Sequence, residues 1–192
     1  TTGNFLPLAL NLLDEAAVKQ AISKTIEQFG TLDVVVNNAG FGLIGAVEEL
    51  SDAEARNNFD VNVFGSLNVI RAALPHLRSQ HSGHIFNISS IGGFSGGFAG
   101  FGIYCATKFA MHGFSESLAH EVSAFGINTT LVMPGYFRTN FLDDSSLLTP
   151  AHEMAEYADV RRNQQVHQQE INAAQPGDPD KAADVMIAVA DL

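Results

Sequence analysis

The 192-residue sequence is poor in cysteine and in long apolar runs. Its single cysteine, Cys105, cannot form a disulfide within the chain, and nothing else argues for an oxidising compartment, so we expect a cytoplasmic protein. No apolar run approaches the about 20 residues that a membrane-spanning helix needs. The first residues also lack the basic and apolar segments of a signal peptide, so the sequence predicts neither a membrane protein nor an exported one.

Positive charge is scarce as well. The chain has 10 lysine and arginine residues against 21 aspartate and glutamate residues, which gives a formal net charge of -11. Nucleic acids and anionic membranes attract clustered positive charge, so neither is an expected partner. The histidines lack the spacing of metal ligands, so no metal site is expected either.

Short apolar runs alternate with longer segments of helical periodicity. The apolar runs are nearly continuous, which is typical of strands covered on both faces of a parallel sheet. The longer segments carry apolar residues three and four positions apart, as amphipathic helices do. This alternation predicts one α/β domain over residues 1–192, a doubly wound parallel sheet that is incomplete at the N-terminus and at the C-terminus. The predicted strands are residues 5–10, 32–36, 84–88 and 127–133, and the predicted helices are residues 14–29, 52–77, 103–125 and 179–190.

Residues at the predicted helix ends support these boundaries. Ser51 precedes Glu54 by three positions, which is the spacing of an N-terminal capping box. Gly126 follows the third helix, and Asp178-Pro179 begins the last one. Residues 141–178 are polar, rich in histidine and glutamine and without a clear strand. We expect this lid segment to cover the substrate within the same domain.

Polar motifs stand at the ends of the predicted strands and on the third helix. Tyr104 and Lys108 are four residues apart on that helix, so their side chains point the same way and can act on one ligand. The other motifs are Asn37-Asn38-Ala39-Gly40, Asn62, Ser89-Ser90 and Pro134-Gly135. In order and spacing, this set resembles the short-chain dehydrogenase/reductase family. The resemblance covers nearly all of the chain, from Asn11-Leu12 to the helix after Pro179.

The resemblance implies a Rossmann-like fold and hydride transfer between NAD or NADP and a carbonyl or alcohol. By this similarity Tyr104 is the general acid and base, Ser90 holds the substrate oxygen, Lys108 binds the nicotinamide ribose, and Asn62 helps to anchor a proton-relay water. A free tyrosine has a pKa of about 10, so positive charge from Lys108 and an oxidised nicotinamide would favour its phenolate. The hydroxyls of Ser90 and Tyr104 would stabilise the charge that hydride attack builds on the carbonyl oxygen.

The resemblance also implies which residues bind the cofactor and how the protein assembles. The residues expected at the cofactor are Asn11, Leu12, Asn37, Ala39, Gly40, Tyr104, Lys108, Pro134, Gly135, Phe137 and Thr139. Of these, Asn37, Ala39 and Gly40 would line the adenosine half, and Pro134, Gly135 and Thr139 would flank the nicotinamide. The family resemblance further implies a homodimer or homotetramer. Its two-fold interface would use the helices at 52–77 and 103–125, which have wide apolar faces.

The sequence departs from the family pattern in two places. The TGxxxGxG turn, whose backbone amides hold the cofactor pyrophosphate, is absent, and the spacing from Ser90 to Tyr104 is one residue longer than usual. We therefore expect this chain by itself to bind NAD or NADP weakly. A catalytically inactive or truncated member of the family is the alternative function.

Other glycine-rich patterns suggest weaker alternatives. Residues 40–45 fit GxGxxG and residues 96–102 fit GxxxGxG, but a lone glycine pattern is weak evidence for phosphate binding. Ser95 lies in a GxSxG pattern of serine hydrolases, with Asp143 and His152 in suitable order, yet it lacks the sharp turn from strand to helix that such a nucleophile needs. The phenylalanines at 94, 98 and 101 border an apolar substrate or only pack their loop, and the sequence does not separate these two roles.

Overall fold

A computed structural model describes residues 4–191 of the chain. Its helices are α1 (Glu15–Phe29), α2 (Asp52–Phe59), α3 (Ser66–Gln80), α4 (Gly102–Val122), α5 (Ala158–Gln165) and α6 (Pro179–Ala190). Its strands are β1 (Val34–Asn37), β2 (Gly42–Leu43), β3 (Gly83–Ile88), β4 (Ile127–Val132) and β5 (Leu147–Leu148). Two segments are π-helical: Asp60–Gly65 joins α2 to α3, and Val166–Ile171 follows α5.

A parallel sheet in the order β1-β3-β4 forms the centre of the fold. Val34 is in register with His84, and Gly83 is in register with Ile127. Helices α1 and α3 pack together, and α4 packs against β4. Buried apolar side chains fill the space between sheet and helices, among them Val35, Ile70, Leu77, Ile85, Leu118 and Ile127. The fold is Rossmann-like α/β, as predicted, and the carboxyl ends of its strands meet at one edge.

The predicted strand at residues 5–10 is wrong. These residues form no strand in the structure, and the side chains of Phe5, Leu8 and Leu10 are exposed. A strand needs a neighbour for its backbone N–H and C=O groups, and within residues 4–191 the sheet offers none to this segment, because β1 pairs only with β3. An apolar run satisfies the sequence pattern whether or not such a partner is present.

The predicted helix at residues 52–77 is interrupted by the π-helical turn at Asp60–Gly65 and continues to Gln80. The turn carries the buried side chain of Asn62, which bonds the backbone of Phe41. A π-turn inserts one residue into the helical repeat, and apolar spacing does not reveal it. The helix does begin with the predicted capping box, in which the Glu54 N–H donates to the Ser51 hydroxyl at 3.2 Å.

The structure confirms two helix ends predicted from the sequence, one at Gly126 and one at Asp178. Gly126 has a φ of +69°, and a Cβ atom there would lie 2.6 Å from the carbonyl oxygen of His81, so the turn into β4 requires glycine. Asp178 caps α6, whose first residue is Pro179. The helices of residues 4–191 include none with the length and apolar character needed to cross a membrane.

The lid segment (141–178) has more regular structure than its polar sequence suggested. It contains β5, which pairs in parallel with β2, and α5 with the π-helical segment after it. The carboxylate of Glu49 holds this segment to the loop after β2. It accepts hydrogen bonds from the N–H of Met154 at 2.9 Å and from the guanidinium of Arg161 at 2.6 Å, and its side chain is fully buried.

The ion pair of Glu49 makes the attachment of the lid segment dependent on pH. Burial raises the pKa of Glu49, but hydrogen bonds from the backbone of Met154 and Ala46 and the charge of Arg161 together lower it below the ordinary 4.5. A carboxyl group whose pKa is lower in the folded state stabilises the fold above its unfolded pKa. That contribution is lost as the pH falls through the folded value.

Glu49→Gln should lower the free energy of unfolding at neutral pH by about 2 kcal/mol, because it removes the charge-assisted bond from Arg161 while Arg161 keeps its ion pair with Glu153. The difference between wild type and variant should narrow below a pH of about 4. Denaturant titrations at neutral pH and below a pH of about 4 measure the loss of stability in the variant and its decrease at low pH. Glu48→Gln is the matched control, since Glu48 is exposed and bonds the hydroxyl of Tyr157 at the surface. An equal loss in the two variants would contradict the role of the buried pair.

Candidate active site

A cavity of about 630 Å³ opens at the carboxyl ends of the central strands. Ile88 and Val132, the last residues of β3 and β4, line it. Helix α4, the loops that follow both strands, the lid segment and α6 supply its other walls. Ligands of doubly wound sheets bind at this edge, so the cavity lies where the fold favours a binding site.

Tyr104, Lys108 and Ser90 all face this cavity. The first two stand one turn apart on α4, with the Lys108 Nζ atom 5.8 Å from the centre of the Tyr104 ring. Ser90 follows β3, and its Oγ accepts a hydrogen bond from the N–H of Gly92 at 3.1 Å, which holds the hydroxyl in place. The structure therefore brings these three predicted residues to one space.

Burial shifts the pKa values of Tyr104 and Lys108 in opposite directions. It raises the pKa of Tyr104 to about 12, although a hydrogen bond with the Ser90 side chain acts the other way. It lowers the pKa of Lys108 to about 8. In both cases burial disfavours the charged form of the side chain. The Tyr104 hydroxyl therefore keeps its proton at neutral pH, as a proton donor must.

The surroundings of Lys108 fit a ligand with hydroxyl groups. Its ammonium group has three donors, and Nζ makes one hydrogen bond within the described chain, to the carbonyl oxygen of Ile88 at 2.8 Å. Gly40 stands beside it, where a Cβ atom would lie 2.9 Å from Asn62 Oδ1 and 3.8 Å from Nζ. The absence of a side chain at Gly40 keeps this space open. The donors of Lys108 and the open space fit the ribose of a nicotinamide dinucleotide.

Asn62 lies behind the cavity rather than at its wall. Its side chain accepts from the N–H of Phe41 at 3.0 Å and donates to the carbonyl of Phe41 at 3.0 Å and to the Thr107 hydroxyl at 3.1 Å. Both N–H groups of the amide are thus used. The expected role of Asn62 in anchoring a relay water stays a prediction.

The residues expected at the cofactor divide into two groups. Gly40, Pro134, Gly135, Phe137 and Thr139 line the cavity with Tyr104 and Lys108. Asn11, Leu12, Asn37 and Ala39 do not. Asn37 is buried in the sheet, where its amide donates to Asn87 Oδ1 at 2.8 Å, and Asn11 Oδ1 accepts from the N–H of Leu13 just before α1. The cofactor roles of these four residues stay predictions.

Several cavity residues were not predicted from the sequence. They are Asn38, Tyr136, Phe141, His167, Gln175 and Met186. The position of Tyr136 directly after Pro134-Gly135 was a usable signal, because that loop follows a strand end. His167 and Gln175 belong to the lid segment and carry no local motif. The sequence left open whether the phenylalanines at 94, 98 and 101 border a substrate or pack their loop. Phe98 and Phe101 line the cavity, and Phe94 does not.

Ser95 lacks the setting of a hydrolase nucleophile. It is exposed in the loop after β3, and α4 begins only at Gly102. A nucleophile elbow places its serine between a strand and a helix that follows at once. Asp143 uses its carboxylate to accept a hydrogen bond from Asn172 at 2.7 Å. No observation here favours the hydrolase alternative.

Comparison with known proteins matches the chain to short-chain dehydrogenases and reductases. A family model for the short chain dehydrogenases matches residues 1–147. A 3-ketodihydrosphingosine reductase of Bacteroides thetaiotaomicron is 38% identical over 177 residues, which cover 91% of this chain and 65% of the relative. A crystal structure of a short-chain dehydrogenase from Streptomyces avermitilis is 39% identical with a TM-score of 0.84, and the match covers 96% of this chain and 66% of that one.

Two further structures that resemble the chain contain a cofactor. ElxO with NADP bound is 36% identical with a TM-score of 0.64, over 67% of this chain and 52% of that one. A short chain dehydrogenase/reductase from Burkholderia phymatum in complex with NAD is 26% identical with a TM-score of 0.73, over 85% of this chain and 61% of that one.

The chain spans 65% of the length of the Bacteroides relative and 50% of that of a second curated relative. The family match nevertheless covers most of the chain and includes the residues that line the cavity from β3 and α4. With the Rossmann-like sheet and this match, the chain belongs to the short chain dehydrogenase family.

Proposed function

We propose that the protein is an oxidoreductase that uses NAD or NADP to interconvert a carbonyl compound and an alcohol. The observation that carries this proposal is the convergence of Tyr104, Lys108 and Ser90 on one cavity at the carboxyl edge of the sheet. The family match and the relatives with bound NADP or NAD support it.

The chain's own residues supply binding and a proton in this reaction. The hydroxyls of Ser90 and Tyr104 donate to the carbonyl oxygen of the substrate and stabilise the negative charge that develops there. Tyr104 then gives that oxygen its proton. The reverse direction needs the Tyr104 phenolate, which the positive charge of Lys108 favours. A bound nicotinamide cofactor would supply or accept the hydride.

Lys108, Pro134, Gly135, Phe137 and Thr139 would hold the nicotinamide half of the cofactor. Gly40, which the resemblance assigned to the adenosine half, lies beside Lys108 and would border the nicotinamide ribose instead. Lys108 would donate to the ribose hydroxyls, and the loop of Pro134 and Gly135 would lie against the ring. Asn11, Leu12, Asn37 and Ala39 would serve the adenosine half, and Asn62 would support a relay water. Gly135 has no atoms near the position of a Cβ, so this part of the loop is open to a ligand.

We expect an apolar carbonyl or alcohol as substrate, covered by the lid segment. Phe98, Phe101, Phe141, Leu142 and Met186 line the cavity, so most of a bound molecule would contact hydrocarbon. The name of the Bacteroides relative, a reductase of a keto compound, agrees with this class. The cytoplasmic location stays a prediction from the single cysteine.

We further propose a homodimer or homotetramer. Phe64 in the π-helical turn is 50% exposed, and Phe109 on α4 is 45% exposed. Exposed aromatic side chains on two long helices are typical of protein interfaces. A second copy of the chain is the partner that the family resemblance implies.

Tyr104→Phe should lower kcat/KM for a panel of aliphatic aldehydes and ketones by at least about 100-fold, the usual scale for lost acid-base catalysis. The variant loses one hydroxyl and almost no volume, so its thermal unfolding should stay near that of the wild type. Oxidation of reduced cofactor, followed by absorbance, measures the rate. Ser95→Ala is the control and should keep its activity. Normal turnover by Tyr104→Phe would refute the assignment, and an equal loss of turnover in Ser95→Ala would contradict the special role of Tyr104.

Sedimentation at micromolar concentration should give a dimer or a tetramer. Aspartate at both Phe64 and Phe109 should dissociate it, because a buried charge without a partner destabilises an interface. Phe94→Asp is the matched control, since Phe94 is 66% exposed in a loop outside both helices. A wild-type protein that sediments only as a monomer would contradict the proposed assembly.

A further inference from the structure

A second tyrosine, Tyr136, faces the same cavity as Tyr104. It directly follows Pro134-Gly135, and its hydroxyl oxygen lies 2.8 Å from the Nε2 atom of His167. His167 comes from the lid segment, is buried, and lines the cavity too. The pair therefore joins the loop after β4 to the lid segment at the wall of the cavity.

The partners of His167 determine which atom donates to which. Its Nδ1 atom lies 2.8 Å from the carbonyl oxygen of Asn163. A carbonyl oxygen only accepts hydrogen bonds, so Nδ1 carries the proton of the neutral ring and Nε2 accepts. The hydroxyl of Tyr136 therefore donates to Nε2. The lone pairs of the Tyr136 oxygen accept no hydrogen bond from the described residues, which leaves an oriented acceptor at the cavity.

Gln175 is an unpaired polar group on the same side of the cavity. Its side chain is buried, with the residue 1% exposed, and neither its amide nitrogen nor its amide oxygen has a partner in the described chain. Backbone contacts bring this segment to the loop of Tyr136: the N–H of Gly177 donates to the Tyr136 carbonyl at 2.9 Å, and Arg138 donates to the main-chain carbonyl of Gln175 at 2.8 Å. Buried amides are costly to leave unpaired, and a ligand is one group that can satisfy them.

Aromatic rings follow one another from Tyr104 to Tyr136: Phe101 lies beside Tyr104 and His167, and the ring centre of His167 lies 5.8 Å from that of Tyr136. The ring of Phe101 has its centre 6.1 Å from that of Tyr104 and 5.0 Å from that of His167. A ligand that reached from Tyr104 to Tyr136 would therefore cross apolar surface. Its two polar ends would be separated by a hydrocarbon part.

The charges at the cavity limit what the second polar end can be. Lys108 is the charged residue among the described residues that line it, and none of those residues is an aspartate or a glutamate. An ammonium group would lack a counter-charge there. A carboxylate could not donate to the Tyr136 oxygen. A neutral hydroxyl can donate to Tyr136 and accept from the amide nitrogen of Gln175.

We propose that Tyr136 and Gln175 recognise a hydroxyl group that the substrate carries away from its reacting carbon, on the far side of an apolar segment. The proposal rests on the oxidoreductase function proposed above and narrows its substrate to a hydroxylated carbonyl compound or a diol. Tyr136 and Gln175 are assigned here to specificity and not to proton transfer, because the Tyr136 hydroxyl already donates its proton in the hydrogen bond to His167.

The test uses straight-chain hydroxy-ketones in which the hydroxyl is moved one carbon at a time, each paired with the ketone that lacks it. At one hydroxyl position, wild type should favour the hydroxylated compound in kcat/KM. Tyr136→Phe and Gln175→Leu should each reduce that preference about 10-fold, mainly through KM, because each removes one hydrogen bond. The methyl ether of the favoured compound should lose the preference in the wild type, since an ether cannot donate to Tyr136.

Tyr157→Phe is the matched control, because this tyrosine donates to Glu48 at the surface and does not line the cavity. It should keep the full preference for the hydroxylated compound. The proposal is overturned if the wild type reduces the ketones but favours no hydroxyl position. It is also overturned if the preference survives in both Tyr136→Phe and Gln175→Leu, or if Tyr157→Phe loses it to the same extent.

Binding separates this proposal from the oxidoreductase function. Calorimetry on Tyr104→Phe protein compares straight-chain diols with the matching mono-alcohols, neither of which this variant turns over if Tyr104 is the acid and base. Tighter binding of one diol, lost when Tyr136→Phe is added, supports the recognition site even if the wild type reduces none of the ketones. Equal binding of diols and mono-alcohols rejects the recognition site, whatever the activity of the wild type.

Discussion

The side-chain amide of Asn62 ties together the parts of the chain on which the cavity depends. It bonds both the N–H and the C=O of Phe41, and it donates to Thr107 on α4. One buried side chain thus connects the loop after β1 to the helix that carries Tyr104 and Lys108. A buried amide is costly to leave unpaired, so the three bonds must form together. The position of Gly40 against Lys108 follows from this arrangement.

The hydrogen bonds of Asn62 coincide with an irregular part of the helix, the π-helical turn at Asp60–Gly65. It carries Asn62, and Asn58 one turn earlier also donates to the Phe41 carbonyl, at 3.0 Å. Apolar periodicity predicted a helix across this region correctly, because the buried face of α3 repeats with helical spacing. It could not predict the inserted residue, since the cause is a bond between Asn62 and a loop that precedes it by 21 positions.

Contacts with residues distant in sequence also explain why some predicted strands are present in the structure and one is not. The strands β3 and β4 have each other as neighbours in the sheet, so pattern and structure agree. The run at 5–10 has an apolar pattern but no neighbouring strand within residues 4–191. The two residues of β5 form a strand only because Gly42 and Leu43 lie beside them. Pairing partners therefore decide these cases, and a single segment does not reveal its partner.

The residues that line the cavity also fall into those that the sequence predicted and those that it did not. Tyr104, Lys108 and Ser90 stand at strand ends or on one helix turn, where spacing along the chain predicts proximity. Tyr136 and His167 are 31 positions apart and meet through the fold of the lid segment. Chain spacing carries no sign of that contact.

The two tyrosines of the cavity show how neighbours decide the role of one side-chain type. Tyr104 is buried beside Lys108, and burial raises its pKa to about 12, so it holds a proton that it can give to a substrate oxygen. Burial also raises the pKa of Tyr136, but its proton is directed at His167. The first tyrosine therefore presents a donor to a ligand, and the second presents an acceptor. A ligand that satisfies both must carry an acceptor at one end and a donor at the other.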